Sequence, residues 1–272
     1  MKTILFSKML KDKGPAELVE LALSLGIDGY DLAVRPGHPV DPENAAEKLP
    51  ELVSRMRDNG LDIPMVTANF DLVEPGHPTA RPILGAMDRA DVRLLKLGYF
   101  WFRPAEGHVY LDELNRIRRI LGQWEVLSRE YGVKVCYHSH SGAHMGMNCA
   151  SLVHMLTDFD PQHVGAYLDP AHMLIDGEEF ALGLAMVRDW LSIVALKDVL
   201  LTREEKDGHG SRVVNWVEAG RGMVDWSDVF AQLAAVGYDG PLTIHCEFKV
   251  PDEDFSAAVA REVAFFRRFV AV

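Results

Sequence analysis

Eight apolar segments of strand length recur along the chain, and most are followed by a stretch with helical spacing. They cover residues 4–6, 27–32, 63–67, 92–97, 133–137, 164–168, 193–196 and 242–246. Strands that alternate with helices run parallel, because each helix carries the chain back to the same edge. Eight such units predict an α/β fold closed into one (β/α)8 TIM barrel. A doubly wound sheet is the alternative, but eight units would make an unusually wide one. The length of 272 residues suits a single barrel, typically about 250. No linker rich in Gly, Pro or Ser divides it, so one domain over 1–272 is expected.

Helical spacing is found at 15–25, in a segment ending at Gly60, and at 79–90, 111–131, 149–159, 180–190, 226–236 and 255–270. Asp41-Pro42-Glu43 reads as the N-cap, first-turn proline and acidic first turn of the second helix. Residues 202–212 mix charges with little apolar content, which predicts a mobile lid or a disordered insertion.

The formal net charge is −12. Such a field repels backbone phosphates, so nucleic acid is not an expected partner. No run of eighteen apolar residues occurs, so no membrane span is expected. Lys8 and Lys11 arrive too early for the apolar core of a leader peptide. Cys136, Cys149 and Cys246 are odd in number and form no Cys-x-x-Cys. That disfavours a disulfide scaffold and a cysteine-rich zinc site, and fits a reducing cytoplasm.

Polar residues gather where the strands finish: Asp31, Lys96, His138, His140, Asp169, His172, Lys197 and Glu247. In a closed barrel these ends converge on one mouth. The richest end is Gly132-Val-Lys-Val-Cys-Tyr-His-Ser-His-Ser-Gly142. Side chains alternate along a strand, so His138 and His140 share one face and Tyr137 takes the other. The pair reads as ligands, acid/base groups, sugar-hydroxyl contacts or structural histidines. A carboxylate inside a barrel is costly unless paired, metal-bound or catalytic, which singles out Glu247. Lys197 reads as its partner, as an oxyanion stabiliser, or as a holder of a substrate phosphate or carboxylate. Asp169 either points inward or caps the next short turn. His245 reads as a buried structural histidine and Asp198 as an outward structural residue. Arg35, His38 and Arg221 lie in loops around the mouth. The aromatic loop from Tyr99 to Phe102 either covers a sugar face or packs on its own loop. His144 is expected in solvent, with Met145 and Met147 packed.

Five pieces in this order are telling: Gly26-Ile-Asp-Gly-Tyr-Asp-Leu32, Tyr137-His-Ser-His-Ser-Gly142, Leu168-Asp-Pro-Ala-His172, Leu196-Lys-Asp-Val199, and Gly220-Arg-Gly-Met-Val-Asp-Trp226 leading to Glu247. Through them the chain resembles, over nearly its whole length, the sugar-phosphate isomerase/epimerase superfamily. These are the xylose-isomerase-like TIM barrels, which also include tagatose 3-epimerase, inosose dehydratase and endonuclease IV. The resemblance implies an isomerase or epimerase of a small sugar, keto sugar or polyol derivative. The reaction would remove a proton next to a carbonyl and return it elsewhere. Glu247 would be the base, with His138 or His172 as the acid, and a metal or Lys197 would carry the enediolate charge. Asp31, Arg35, Lys96, His140 and Arg221 would contact substrate. A dehydratase of the inosose dehydratase type and a non-catalytic sugar-binding barrel are the alternatives. Endonuclease IV activity is not expected, since it needs a richer multi-zinc ligand set.

Members of the superfamily commonly bind one divalent ion through Glu, Asp, His and Glu on strands five to eight. Asp169 and Glu247 match two of these places. His138 stands where the first Glu is expected and Ala195 where the His is expected. The implied site is therefore His138, Asp169 and Glu247, completed by water, for Mn, Zn, Co, Mg or Fe. The resemblance also leaves assembly as a homo-oligomer open.

Overall fold

A computed structural model describes residues 1–270 and closes the eight expected strands into one barrel. Ala271 and Val272, the end of the expected domain, lie outside the described residues. The elements run β1 (Lys2–Phe6), α1 (Pro15–Leu25), β2 (Gly29–Val34), α2 (Ala45–Asp58), β3 (Asp62–Ala68), α3 (Ala80–Arg89), β4 (Leu94–Lys96) and α4 (Tyr110–Tyr131). There follow β5 (Lys134–His138), α5 (Cys149–Leu156), β6 (Val164–Leu168), α6 (Pro170–Ile175), α7 (Phe180–Val187) and β7 (Leu191–Leu196). The chain ends with β8 (Asp198–Lys206), β9 (His209–Val217), α8 (Trp226–Ala235), β10 (Pro241–Ile244) and α9 (Phe255–Val270).

The strand order around the barrel is β1-β10-β7-β6-β5-β4-β3-β2, and the pairs are parallel. Parallel strands place all their C-terminal ends at one rim. Inside the barrel a small group that includes Ile4, Met65, Tyr167, Ile193 and Ala195 fills the lower interior. The larger apolar cluster packs the helices on the outer face, with Trp124 of α4 among its fully buried members. Among the described residues, no helix is long and apolar enough to cross a membrane.

Element ends moved by a few residues for identifiable reasons. Gly26 takes φ 65° and ends α1, while the Ile27 N–H bonds back to Ala22 O. This cap absorbs Ile27, so β2 starts at Gly29 rather than 27. Val92 is drawn into the end of α3 in the same way, through its N–H to Met87 O. Asp41 is not the N-cap of α2. Its Oδ1 accepts from the N–H groups of Glu43 and Asn44, closing a turn ahead of the helix, which begins after Asn44.

The polar stretch 202–212 is not a disordered insertion. It is the outer part of an antiparallel hairpin in which β8 pairs β9 from Asp198↔Val217 to Lys206↔His209. The two turn residues, Asp207 and Gly208, both have positive φ, 52° and 78°. An Asp-Gly turn of this hand matches the twist of paired strands. The hairpin root is tied down by Asp198. Its carboxylate accepts from the backbone N–H groups of Val199, Gly220, Gly222 and Val224 and from the Trp226 indole. Gly222 permits this approach: a Cβ there would lie 2.0 Å from Asp198 Oδ1.

Asp198→Ala should therefore cost about 2–4 kcal/mol, because several buried N–H groups lose their acceptor at once. Urea unfolding measures it; a loss under about 0.5 kcal/mol would show that water replaces the carboxylate at no cost.

Candidate functional site

Strand-end side chains enclose a cavity of ≈ 160 Å³ at the C-terminal mouth of the barrel. Of the residues expected there, Arg35, Lys96, His138, His140, Lys197 and Glu247 line it. Asp31, Asp169 and His172 stand behind this wall, buried, and act through the residues that do reach it.

Lys197 follows β7 directly and is the hub. Its Nζ donates to His172 Nε2 at 2.9 Å and to Glu247 Oε2 at 3.1 Å, and lies 3.1 Å from Asp169 Oδ2. An ammonium has three N–H donors, and two of them make hydrogen bonds here, to His172 and Glu247. The second oxygen of Glu247, Oε1, accepts from Lys8 Nζ at 2.5 Å. Asp169 uses its other oxygen, Oδ1, to cap α6 through the N–H groups of Ala171 and His172. The inward-pointing and capping readings of Asp169 therefore hold together.

The network sets the tautomers of the imidazoles. His138 lies between the Tyr99 hydroxyl, 2.8 Å from Nδ1, and Asp169 Oδ2, 3.2 Å from Nε2. His172 lies between Ser141 Oγ, 2.8 Å from Nδ1, and Lys197. Both rings thus have both nitrogens occupied. His140 differs. Its Nδ1–H donates to Ser141 O at 2.9 Å, and no partner engages Nε2 among the described residues. His245 contacts the Tyr167 hydroxyl through Nε2 at 2.8 Å, and its Nδ1 lies 3.8 Å from Glu247 Oε2.

Electrostatics follow from this packing. Burial alone would raise the Asp169 carboxyl, but Lys197, His172 and His138 hold it well below the ordinary carboxylate range. Burial is likewise outweighed at Glu247 by Lys197, His245 and Lys8, which hold it far below that range. Lys197 stays above the ordinary lysine value because Asp169 and Glu247 overcome its desolvation. Burial, with Lys197 adding, pushes His140 down to about 4. Burial also holds His138 and His172 well below the ordinary imidazole value. All three rings are neutral near pH 7.

Other expectations need correction. Arg221 does not face the mouth. Its side chain is 69% exposed and sits 3.6 Å from Glu218 Oε1, outside the cavity. His144 is not in solvent: it is buried against Trp101 and His140, with ring centroids 4.4 and 4.8 Å away. Lys8, which the strand-end pattern above does not include, also lines the cavity. It follows β1 by two positions, so the same strand-end rule reaches it. Phe6, Phe70 and Tyr99 add aromatic wall to the cavity.

The residues present do not fit a divalent ion. The two carboxylates that the resemblance assigns to one converge instead on an ammonium, and a cation between them would abut that buried charge. His138 has no free nitrogen, and Ala195 is a methyl packed inside the barrel. Among the described residues, no three His, Cys, Asp or Glu side chains form a group that could hold a metal.

Residues 19–269 match the family described as xylose isomerase-like TIM barrel, and the chain belongs to that family. Among curated proteins it is similar to inosose dehydratase of Geobacillus thermodenitrificans (strain NG80-2), 29% identical over 153 residues, which are 54% of this chain and 49% of the relative. Inosose dehydratase of Lacticaseibacillus casei is 26% identical over 147 residues, 52% of this chain and 49% of the relative. The chain thus spans about half the length of the curated relatives it matches. Among solved structures, 3-keto-D-glucoside 4-epimerase from E. coli superposes with TM-score 0.76 at 18% identity, covering 98% of this chain and 99% of that one. D-psicose 3-epimerase from Clostridium cellulolyticum H10 gives TM-score 0.74 at 15% identity, covering 99% of each chain. At such identities the structures confirm the fold.

The network makes a stability prediction. Lys197→Met strands two carboxylates and should cost about 3–5 kcal/mol at pH 7. The pH slope should change too. The imidazoles that folding holds below 6.5 stabilise the wild type above that pH, and this is lost as pH falls towards their folded values, about 4 for His140. The contribution of these imidazoles to stability therefore rises from pH 5 to pH 7. Without the ammonium, the neighbouring acids and imidazoles bind protons more tightly, so the variant's rise should shrink or reverse. Urea midpoints at both pH values measure this, and parallel slopes would contradict it.

Proposed function

We propose that the protein is an isomerase or epimerase of a small sugar, keto sugar or polyol derivative. One observation carries the reading: a carboxylate, Glu247, and a neutral imidazole with an open nitrogen, His140, face one cavity beside the fixed ammonium of Lys197. They descend from β10 and β5, three steps apart around an eight-strand ring, so they stand on different sides of the mouth.

In this reading Glu247 takes the proton from the carbon next to the carbonyl. The C–H electron pair moves onto the carbonyl oxygen as an enediolate, which Lys197 stabilises. Lys8 and Lys197 weaken Glu247 as a base at rest. The same ammoniums favour the enediolate charge and so acidify the substrate carbon. His140 is the second proton acceptor and donor, on the side away from Glu247. His138 and His172, expected as acids, have both nitrogens engaged and serve to position Asp169 and Lys197. Three buried free cysteines support a reducing compartment.

A dehydratase is the second reading, favoured by the relatives named inosose dehydratase. It shares the first step; the carbanion then expels a β-hydroxyl as water.

Incubation with keto sugars and inososes in D2O, followed by NMR, tests both. Deuterium next to the carbonyl with an altered stereocentre or carbonyl position marks isomerisation, and a new alkene or enol marks dehydration. Glu247→Gln should slow exchange about 10²–10⁴-fold while leaving substrate binding nearly unchanged. Unchanged exchange in that variant would remove Glu247 from the chemistry.

A further inference from the structure

Two of the four cations around the cavity have partners and two do not. Lys8 and Lys197 are paired with Glu247, and Lys197 also with Asp169. Lys96 is 2% exposed, and its Nζ sits 3.7 Å from the centre of the Tyr99 ring. Among the described residues that ammonium makes no hydrogen bond and no ion pair. Arg35 is 7% exposed. Its guanidinium is 4.5 Å from the centre of the Phe70 ring and 5.4 Å from that of Phe6. Only its Nε donates, at 3.3 Å to Ala68 O, and no carboxylate pairs with it among the described residues. Asp31, a buried acid behind the cavity wall, is taken by the hydroxyls of Thr67 and Thr243 and does not line the cavity.

Buried charges without partners are costly, and two of one sign in one cavity are costlier. Aromatic faces offset only part of that cost. A guanidinium fork and an ammonium facing one small space instead match an anionic group of planar or tetrahedral oxygens. Their strands adjoin through β3, while Glu247 and Lys197 belong to the other side of the ring. The reacting carbons and the anionic group would therefore occupy opposite ends of the cavity.

We infer that the substrate is a small anion, a sugar derivative bearing a carboxylate or a phosphate ester, whose charged group is held by Arg35 and Lys96. This deepens the isomerase reading by naming its substrate class and rests on it for the chemistry, but the anion site is testable without turnover.

The probes are inorganic phosphate, glycolate as a compact carboxylate, and glycerol as a neutral control, titrated by calorimetry at constant ionic strength. At least one anion should bind saturably to the wild type, and glycerol should not. Arg35→Gln and Lys96→Met should each weaken binding about tenfold or more, and the exposed Arg221→Gln should not. Tighter binding of phosphate points to phosphate esters, and tighter binding of glycolate to sugar acids. Removing an unpartnered buried cation should also raise the melting temperature of the ligand-free protein, which separates this proposal from a structural role for Lys96. Absence of saturable anion binding, binding unchanged in both variants, or a lower melting temperature for Lys96→Met would overturn it. Retained anion binding without deuterium exchange on any substrate would instead count against the isomerase chemistry alone.

Discussion

One buried ammonium organises the barrel mouth. Lys197 joins Asp169 and Glu247, each of which would be prohibitively costly to ionise alone in this interior. Lys8 completes the group, so two cations balance two carboxylates. Each member is fixed from behind: Asp169 by the first N–H groups of α6, and Lys197 by His172, itself oriented by Ser141. A site so braced presents a charge that need not reorganise when an oxyanion forms beside it.

The alternation of side chains explains how a scaffold and a site share one strand end. Lys197 and Asp198 are adjacent at the end of β7. The first turns into the mouth, and the second turns away to gather the donors of the 220–226 loop. The same residue roots the β8–β9 hairpin, whose Trp216 ring lies 4.5 Å from the Lys197 ammonium. The hairpin thus forms part of the wall around the charged group.

Much of this was legible in the sequence. Eight strand-length segments specified the barrel, and the polar residues at their ends marked most of the mouth, since parallel strands deliver their C-termini to one rim. What alternation cannot show is reach. Asp31, Asp169 and His172 sit one layer behind the cavity, because hydroxyls, helix caps and Lys197 hold them there. Arg221 lies past the strand end, where Glu218 takes it outward. The polar composition of the hairpin masks its Asp207-Gly208 turn signal in the sequence. The superfamily ligand pattern does not decide the site by itself: whether carboxylates hold a metal depends on what else enters it. Here a lysine one residue past Ala195 enters it.

The account stands or falls on whether Lys197 supplies the positive charge that the two carboxylates share. Mn²⁺ titration of the chelator-treated protein, followed by electron paramagnetic resonance, measures this directly. The account predicts no stoichiometric Mn²⁺ uptake that depends on Asp169 and Glu247. One tightly bound Mn²⁺ per chain, lost in Asp169→Asn and Glu247→Gln, would contradict it.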